Sequence, residues 1–495
     1  MDAPVIIVGG GPVGLSLGLG LAHHGVRSTI LEREAEPPQE SRALLVVPRT
    51  LEVMQDWSAL DALRAAGTWR QVVEISAVGV AERIVRIDFS NVADVIEPAG
   101  ALLIPQNETE SVLRRLVGES GLCTLRTRCD VTGVEERADG VTVTFSTDAG
   151  TQQMTAGYVV GCDGAHSIVR QALGLALEGA TYRARAVLTD VIVSGPPWAP
   201  PSPRFSFKKA SLALGIEYAA NRWRVIALLP EGVDDASALD PAAHAARLAR
   251  LLGEGVRART IWSSLFRIHR RHAQHFVVGS IALAGDAAHL NSPAGGQGMN
   301  AGIHDAANLA WKLAYALSGR SDARALLSSY ELERREAIAG SVERFTDALT
   351  RFGFGGARWF GALPFRLLGV FLREPGMQRK ACRAMGMLSG RYTKSPLIDT
   401  RHPLAGRRID DLALPNGSRI NRMRAGGAAL VVVGHVFGDG LPEPVIRIEK
   451  APKHWHLKHD AALVVRPDGC VACVVERPTP ERVSAAWRKA FALRS

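Results

Sequence analysis

The sequence predicts an α/β fold, a parallel layer interrupted by an inserted, mainly antiparallel sheet, with a further α/β segment at the C-terminal end. Three observations carry this. Residues 5–32 read as an apolar strand, a Gly9-x-Gly11-x-x-Gly14 turn, a helix and a second strand ending in Glu32, the pattern of a Rossmann-like dinucleotide-binding unit. Far downstream, residues 281–300 (IALAGDAAHLNSPAGGQGMN) pass from an apolar strand through Gly285-Asp286 and a Gly/Pro loop into a helix start. Between them the runs AVLTDVIV, RFSFKK, ASLALGIEY and RWRVIALLP read as strands of a separate sheet. The nucleotide-type elements therefore belong to a discontinuous domain, 1–180 and 272–395, which includes a helical extension. A β-sheet domain fills 181–271 and a last unit 396–495.

The remaining elements follow in order. A helix is expected over 48–66, short strands near 74–88, a helix after Pro105 through Gly118, and strands across 124–160 that return to the first sheet. The Pro-rich SGPPWAPPSP (194–203) reads as a surface turn or lid. Helical patterns dominate 322–390, a linker spans 397–419, and LVVVGHV and AALVVRPDGCVACVV are the strands of the last unit.

Composition narrows the function. At 495 residues, 47% hydrophobic and 22% charged, the chain is an ordinary globular one, too long for a single core. MDAPVIIV lacks a basic n-region, and the apolar stretch at 4–22 holds six glycines, which suits a nucleotide-binding unit better than a bilayer helix. A cytoplasmic protein without membrane attachment is expected. The net charge of +10 is scattered rather than gathered into an aromatic-laced stripe, which speaks against nucleic acid and for the steering of anionic ligands. The six cysteines fit a reducing compartment. Only Cys470-Val-Ala-Cys473 resembles a motif, and its place after an Asp-Gly turn in a strand pattern puts the two thiols on opposite faces. No metal site is expected, and His23-His24 at a helix end reads as a dipole partner.

Three glycines have distinct duties: Gly9 allows the tight turn, Gly11 the approach of a pyrophosphate, and Gly14 close helix packing. Glu32 can take both ribose hydroxyls and would repel a 2′-phosphate, so the bound nucleotide carries the ADP of FAD or NAD. Two further strand-to-Asp turns, Gly161-Cys162-Asp163-Gly164-Ala165-His166-Ser167 and Gly285-Asp286, imply a longer ligand whose second half is also held. That ligand is FAD, bound tightly and non-covalently. The helix start after the Gly/Pro loop offers its positive dipole end to a polar, partly anionic ligand group, an effect of about 0.3–2 kcal/mol.

Together, Gly9 to Gly14 with Glu32, Asp163-Gly164-x-x-Ser167-x-x-Arg170, and Gly285-Asp286 through Pro293-x-Gly-Gly296-Gln297-Gly298-Met299-Asn300 resemble the single-component, class A flavoprotein monooxygenases over residues 4–400. The tail resembles the thioredoxin-like extension of their phenol and polyketide hydroxylase branch. The resemblance implies that Glu32 binds the adenosine ribose, with Pro12 and Arg33 beside the nucleotide. It places Arg42 and Gln106 along the FAD and Asp286 on the ribityl chain. Gly298, Met299 and Asn300 would present backbone N–H groups to the pyrimidine edge of the isoalloxazine with Gly296 also at the cofactor, Asp163 would serve FAD and NAD(P)H, and Pro293 would sit at the oxygen-reactive face. It further implies NAD(P)H as a transient co-substrate, O2, a C4a-hydroperoxyflavin and a small phenolic or polycyclic aromatic substrate. Gly279-Ser280 departs from the Gly-Arg common in the family, as Ala472-Cys473-Val474 does from Ala-Trp-Arg.

His269 and His289 are the histidines placed to deprotonate a phenol; His289, inside the flavin motif, reads as a structural hydrogen-bonding group, and His269 is the catalytic candidate. Phe205, Phe207, Tyr218 and Trp223 are candidates for the substrate wall, with core packing as their alternative, and Lys208 and Lys209 admit a carboxylated substrate. Two other functions remain open from sequence: a flavin-dependent oxidoreductase that inserts no oxygen, and a non-catalytic flavoprotein holding a hydrophobic small molecule. The tryptophans show no halogenase-like Trp-x-Trp. Oligomeric state is left open, a homodimer included.

Overall fold

A computed structural model describes residues 3–38, 41–77, 84–194, 203–208, 211–229, 232–252, 257–290, 296–342, 363–434 and 441–494. The first sheet is built on β1 (Ala3–Val8), β2 (Ser28–Leu31), β3 (Cys123–Arg126), β4 (Gly150–Gly161) and β10 (Ile281–Leu283), in the order β10-β4-β1-β2-β3, all parallel. Val5, Ile6 and Ile7 of β1 are fully buried, as a central parallel strand covered on both faces requires. Helix α1 (Pro12–His23) crosses from β1 to β2, and the antiparallel strands 130–137 and 140–147 extend the layer from β4.

The second sheet has β11 (His289–Leu290), β9 (Arg257–Ala273), β5 (Leu177–Ser194), β8 (Arg222–Leu228), β7 (Ser211–Ala219) and β6 (Arg204–Lys208) in that order. It continues through 72–77 and 85–88. The β-layer thus recruits strands from outside 181–271, and β5 begins before residue 181. The residues expected to form one helix over 48–66 make two, α2 (Pro48–Asp56) and a short helix Leu60–Ala66. They are divided at Ser58, which adopts φ 58°, a left-handed geometry a continuous helix cannot contain. Helix α3 (Gln106–Glu119) matches its expected place.

The flavin-type domain closes with α5 (Gly298–Leu317) and α6 (Ala323–Ala337). The C-terminal sheet orders β12 (Ala429–Val433), β13 (Val445–Ile448), β14 (Ala461–Val465) and β15 (Val471–Glu476) as β13-β12-β14-β15, with β12 and β13 parallel and the other pairs antiparallel. Helix α7 (Pro480–Ala490) covers one face, where Trp311 of α5 packs among Val432, Val464 and Phe491 and docks the unit onto the flavin-type domain. Cys470 and Cys473 are free thiols in different apolar clusters, the first beside Ile398 and Ala405, the second beside Val475. Burial pushes both thiols up, Cys473 to about 11. Among the described residues, no helix is long and apolar enough to cross a membrane and no cluster of metal-ligating side chains occurs.

Candidate functional site

Four motif turns start at one level of the first sheet. Val8 is in register with Leu31 and with Gly161, and Gly161 with Leu283, so the Gly9 turn, Glu32, Asp163 and the Gly285-Asp286 turn all leave neighbouring carboxyl ends. That rim is where open α/β sheets hold ligands.

At the first turn, a Cβ on Gly14 would stand 2.0 Å from the Gly9 carbonyl oxygen, whereas one on Gly11 would meet nothing within 4 Å. Close packing thus fixes Gly14, and open space lies before Gly11 at the N-terminus of α1, which begins at Pro12 and has no side-chain cap. Its first-turn N–H groups and dipole suit a pyrophosphate. The Glu32 carboxylate accepts from the Gly10 N–H and, at 2.7 Å, from the Glu34 N–H, which orients it along the rim. Arg33 is exposed and paired with Glu34 at 3.1 Å.

In the second motif, Asp163 Oδ2 accepts from the N–H groups of Ile168 (2.7 Å) and Val169 (3.2 Å), while its buried Oδ1 has no partner among the described residues. Burial raises this carboxyl above its usual range. Arg170 ties the second motif to the third by donating to the Ala287 carbonyl at 3.1 Å. Asp286 is solvent-accessible between buried Gly285 and Ala287.

Helix α5 opens at Gly298, again without a side-chain cap. The Asn300 side chain donates to the carbonyls of Leu45 (2.8 Å) and Gly296 (2.9 Å) and accepts from the Val47 N–H (3.1 Å). It therefore staples segment 45–47 to the start of α5. Gly296 adopts φ +63° beside Leu45, and Met299 packs on the main core. Gln106 accepts from the Ala43 N–H at 3.2 Å and bonds Glu110 at 2.9 Å, holding the segment that carries exposed Arg42. Pro293 lies outside the described residues.

The second sheet has two unlike faces. Arg224 forms a bidentate pair with Asp190, both bonds 2.8 Å, and donates to the Ala43 carbonyl at 2.9 Å; Trp262 also donates to Asp190, at 3.1 Å. Tyr218 shares this side, packed against Leu44 and Leu103, its phenol pushed up to about 12 by burial and Asp190. Trp223 points the opposite way, into a cluster with Val191, Val225 and Leu248 of helix α4 (Pro241–Leu252). Strand alternation separates it from Tyr218, so it is removed from the candidate substrate wall. Phe205 is half-buried beside 72–77, and the Phe207 side chain lies outside the described residues. His269 on β9 bonds Thr181 at 3.0 Å, and burial, Arg271 and Arg267 lower its pKa.

The sequence reading overlooked Asp305. This buried carboxylate accepts from the Gly285 N–H (2.9 Å), His289 (2.7 Å) and Arg334 (2.6 Å). Burial alone would raise it, yet His289 and Arg334 hold it at about 2. Arg224 and Asp190 were overlooked as well. In each case the available signal was a charge inside an apolar run: Asp305 in α5, Asp190 in TDVIV, Arg224 in RWRVI.

These features define an FAD-type site: uncapped helix N-termini, an open glycine turn and accessible carboxylates at one rim. Residues 2–346 match the family described as FAD binding domain, and the chain belongs to that family. It is 32% identical over 476 residues to a rifampicin monooxygenase of Streptomyces venezuelae, with 94% of each chain covered. It is 33% identical over 424 residues to a 12-dehydrotetracycline 5-monooxygenase/anhydrotetracycline 6-monooxygenase of Streptomyces rimosus, covering 84% of this chain and 81% of the relative. The solved OxyS anhydrotetracycline hydroxylase from Streptomyces rimosus superposes with a TM-score of 0.81 at 29% identity over 100% of both chains. The protein is an FAD-dependent monooxygenase of the aromatic hydroxylase class.

Proposed function

We propose that this enzyme hydroxylates a phenolic or polycyclic, polyketide-like aromatic compound, with NAD(P)H as transient electron donor and O2 as oxidant. The observation that carries the assignment of residues is the common level of the four motif turns, Val8, Leu31, Gly161 and Leu283 in register. Bound FAD supplies hydride acceptance from NAD(P)H and the activation of oxygen for insertion into an electron-rich ring. The chain's own residues hold and orient it. Glu32 takes the ribose hydroxyls, Gly11 and the α1 N-terminus with Pro12 take the pyrophosphate, and Asp286 takes the ribityl hydroxyls. Arg42 and Gln106 line its length, Asp163 serves FAD and NAD(P)H, and the Gly298 and Met299 N–H groups face the pyrimidine edge.

Tyr218 and Phe205 form the substrate wall on the side of the sheet that faces segment 43–45. His269, its lowered pKa leaving it neutral at physiological pH, takes the phenolic proton. The resemblance to polyketide-acting relatives and the apolar face around Tyr218, Ile216 and Leu103 support a large aromatic substrate. The C-terminal unit, 396–495, is thioredoxin-like, a reading supported by its β13-β12-β14-β15 order with one parallel pair; without a paired dithiol it has no redox part. The cytoplasm, which supplies NAD(P)H and keeps the buried free thiols reduced, is the setting.

Stopped-flow flavin reduction across phenols, carboxylated aromatics and polycyclic ketones tests the reading. The expected result is strong acceleration by one polycyclic or phenolic class, with oxygenated product matching NAD(P)H consumed. Peroxide release with every compound would overturn it. His269→Ala should then lose about 10²-fold in kcat, and an unchanged pH profile would remove the base assignment.

A further inference from the structure

The turn between β14 and β15, residues 466–470, bonds to both helices whose N-termini meet at Val47 and Asn300. Arg466 is fully buried and grips Glu333 of α6 through two bonds of 2.7 Å, with a third bond to Asp468 at 3.1 Å. Asp468 reaches both helices. Its Oδ2 accepts from Asn308 of α5 at 2.9 Å, and its backbone carbonyl accepts from Arg49 of α2. Asn308 and Lys312 also bond Glu333, at 2.7 and 2.9 Å. Burial would raise the Asp468 carboxyl, but Arg466 holds it below its usual range. Beside these bonds lies a cavity of about 80 Å³ bordered by Arg49, Val53, His304, Ala307, Leu388 and Asp468. Thr50 of α2 also bonds His304 of α5 directly at 3.0 Å, and Leu51 and Ile303 share the main core, so the turn adds a further tie between two helices that already touch.

We propose that Asp468 is a positioning residue for the flavin site. With its side chain on Asn308 of α5 and its carbonyl on Arg49 of α2, it braces the two helices behind the staple between Val47 and Asn300, and so supports the direction of the Gly298 and Met299 N–H groups. The C-terminal unit then acts as a brace on the flavin edge, a role distinct from merely stabilising the chain. This inference rests on the flavin reading above.

The test uses full-length holoenzyme. Asp468→Ala should weaken FAD binding about tenfold and shift the visible absorption bands and midpoint potential of the bound flavin. Asp468→Asn, which keeps one acceptor oxygen, should recover most of the shift. Val475→Ala, in the C-terminal core away from the joint, should lower Tm without moving spectrum or potential. If Asp468→Ala does not fold, Asn308→Ser removes the same side-chain bond from α5 and should show the same shift. The inference is overturned if the folded joint variants keep wild-type affinity and spectrum, or if Val475→Ala shifts them equally. Failure of the wild type itself to bind FAD would instead break the flavin reading.

Discussion

The rim of the first sheet and the joint beneath the C-terminal unit both bring charged groups together, yet they treat them differently. At the joint, partners are inside the chain: Glu52, 1% exposed, is bound by Arg408, Arg49 and Asn421, and Glu333 by Arg466, Lys312 and Asn308. At the rim, Asp286 is open to solvent, Asp163 Oδ1 lacks a described partner, and two helix N-termini stand uncapped. Buried polar groups are normally satisfied. The joint's carboxylates Glu52 and Glu333 are saturated from within, which marks them as structural, whereas the open Asp286 carboxylate beside the uncapped helix N-termini marks the rim as a ligand site.

The contrast is broken or sharpened by substitution on either side. The largest effect is expected at the joint. Glu52→Gln leaves Arg408 and Arg49 buried without a counter-charge, which should cost about 3–5 kcal/mol in chemical unfolding. Its arginines hold the Glu52 carboxyl at about 2 against a usual 4.5. Its contribution is thus complete above pH 4.5 and lost as pH falls towards 2, so the gap between wild type and variant should close over that window. A gap independent of pH would contradict the pairing. At the rim, Asp286→Ala should leave stability unchanged and cost roughly 1.5–3 kcal/mol of FAD binding, about 10–100-fold by titration. Full FAD occupancy in the purified variant would remove Asp286 from the site.

Two glycines of one motif should then part company. Gly14→Val collides with the Gly9 carbonyl and should lower stability by about 1–3 kcal/mol or more. Gly11→Val projects into open space and should leave the apoprotein's melting temperature intact while blocking the nucleotide. The smallest effect belongs to the second sheet. Tyr218→Phe should change KM for the aromatic substrate by the equivalent of about 0.5–1.5 kcal/mol, whereas Trp223→Phe should change stability and leave KM alone. The reverse outcome would exchange the two faces.

The division also explains what could be read in advance. The rim was legible because its chemistry sits in contiguous strand-turn-helix motifs, Gly9 to Gly14, Asp163 to Arg170, and Gly285 to Asn300, where spacing alone dictates geometry. The joint was illegible because Glu333 and Arg466 lie 133 residues apart, and Glu52 and Arg408 356 apart. Nothing local couples such pairs. Asn300 was read as a backbone donor to flavin, and its side chain proves to be a staple; an amide's role depends on partners that only the fold brings near. The break at Ser58 was likewise hidden, since the residues on either side carry the same helical pattern.

FAD reconstitution of apoprotein tests the central claim most directly. Wild type should take up stoichiometric FAD and turn yellow, and Gly11→Val, equally folded, should stay colourless. A colourless wild type, or a Gly11→Val variant that binds FAD as tightly as wild type, would contradict the account of the rim.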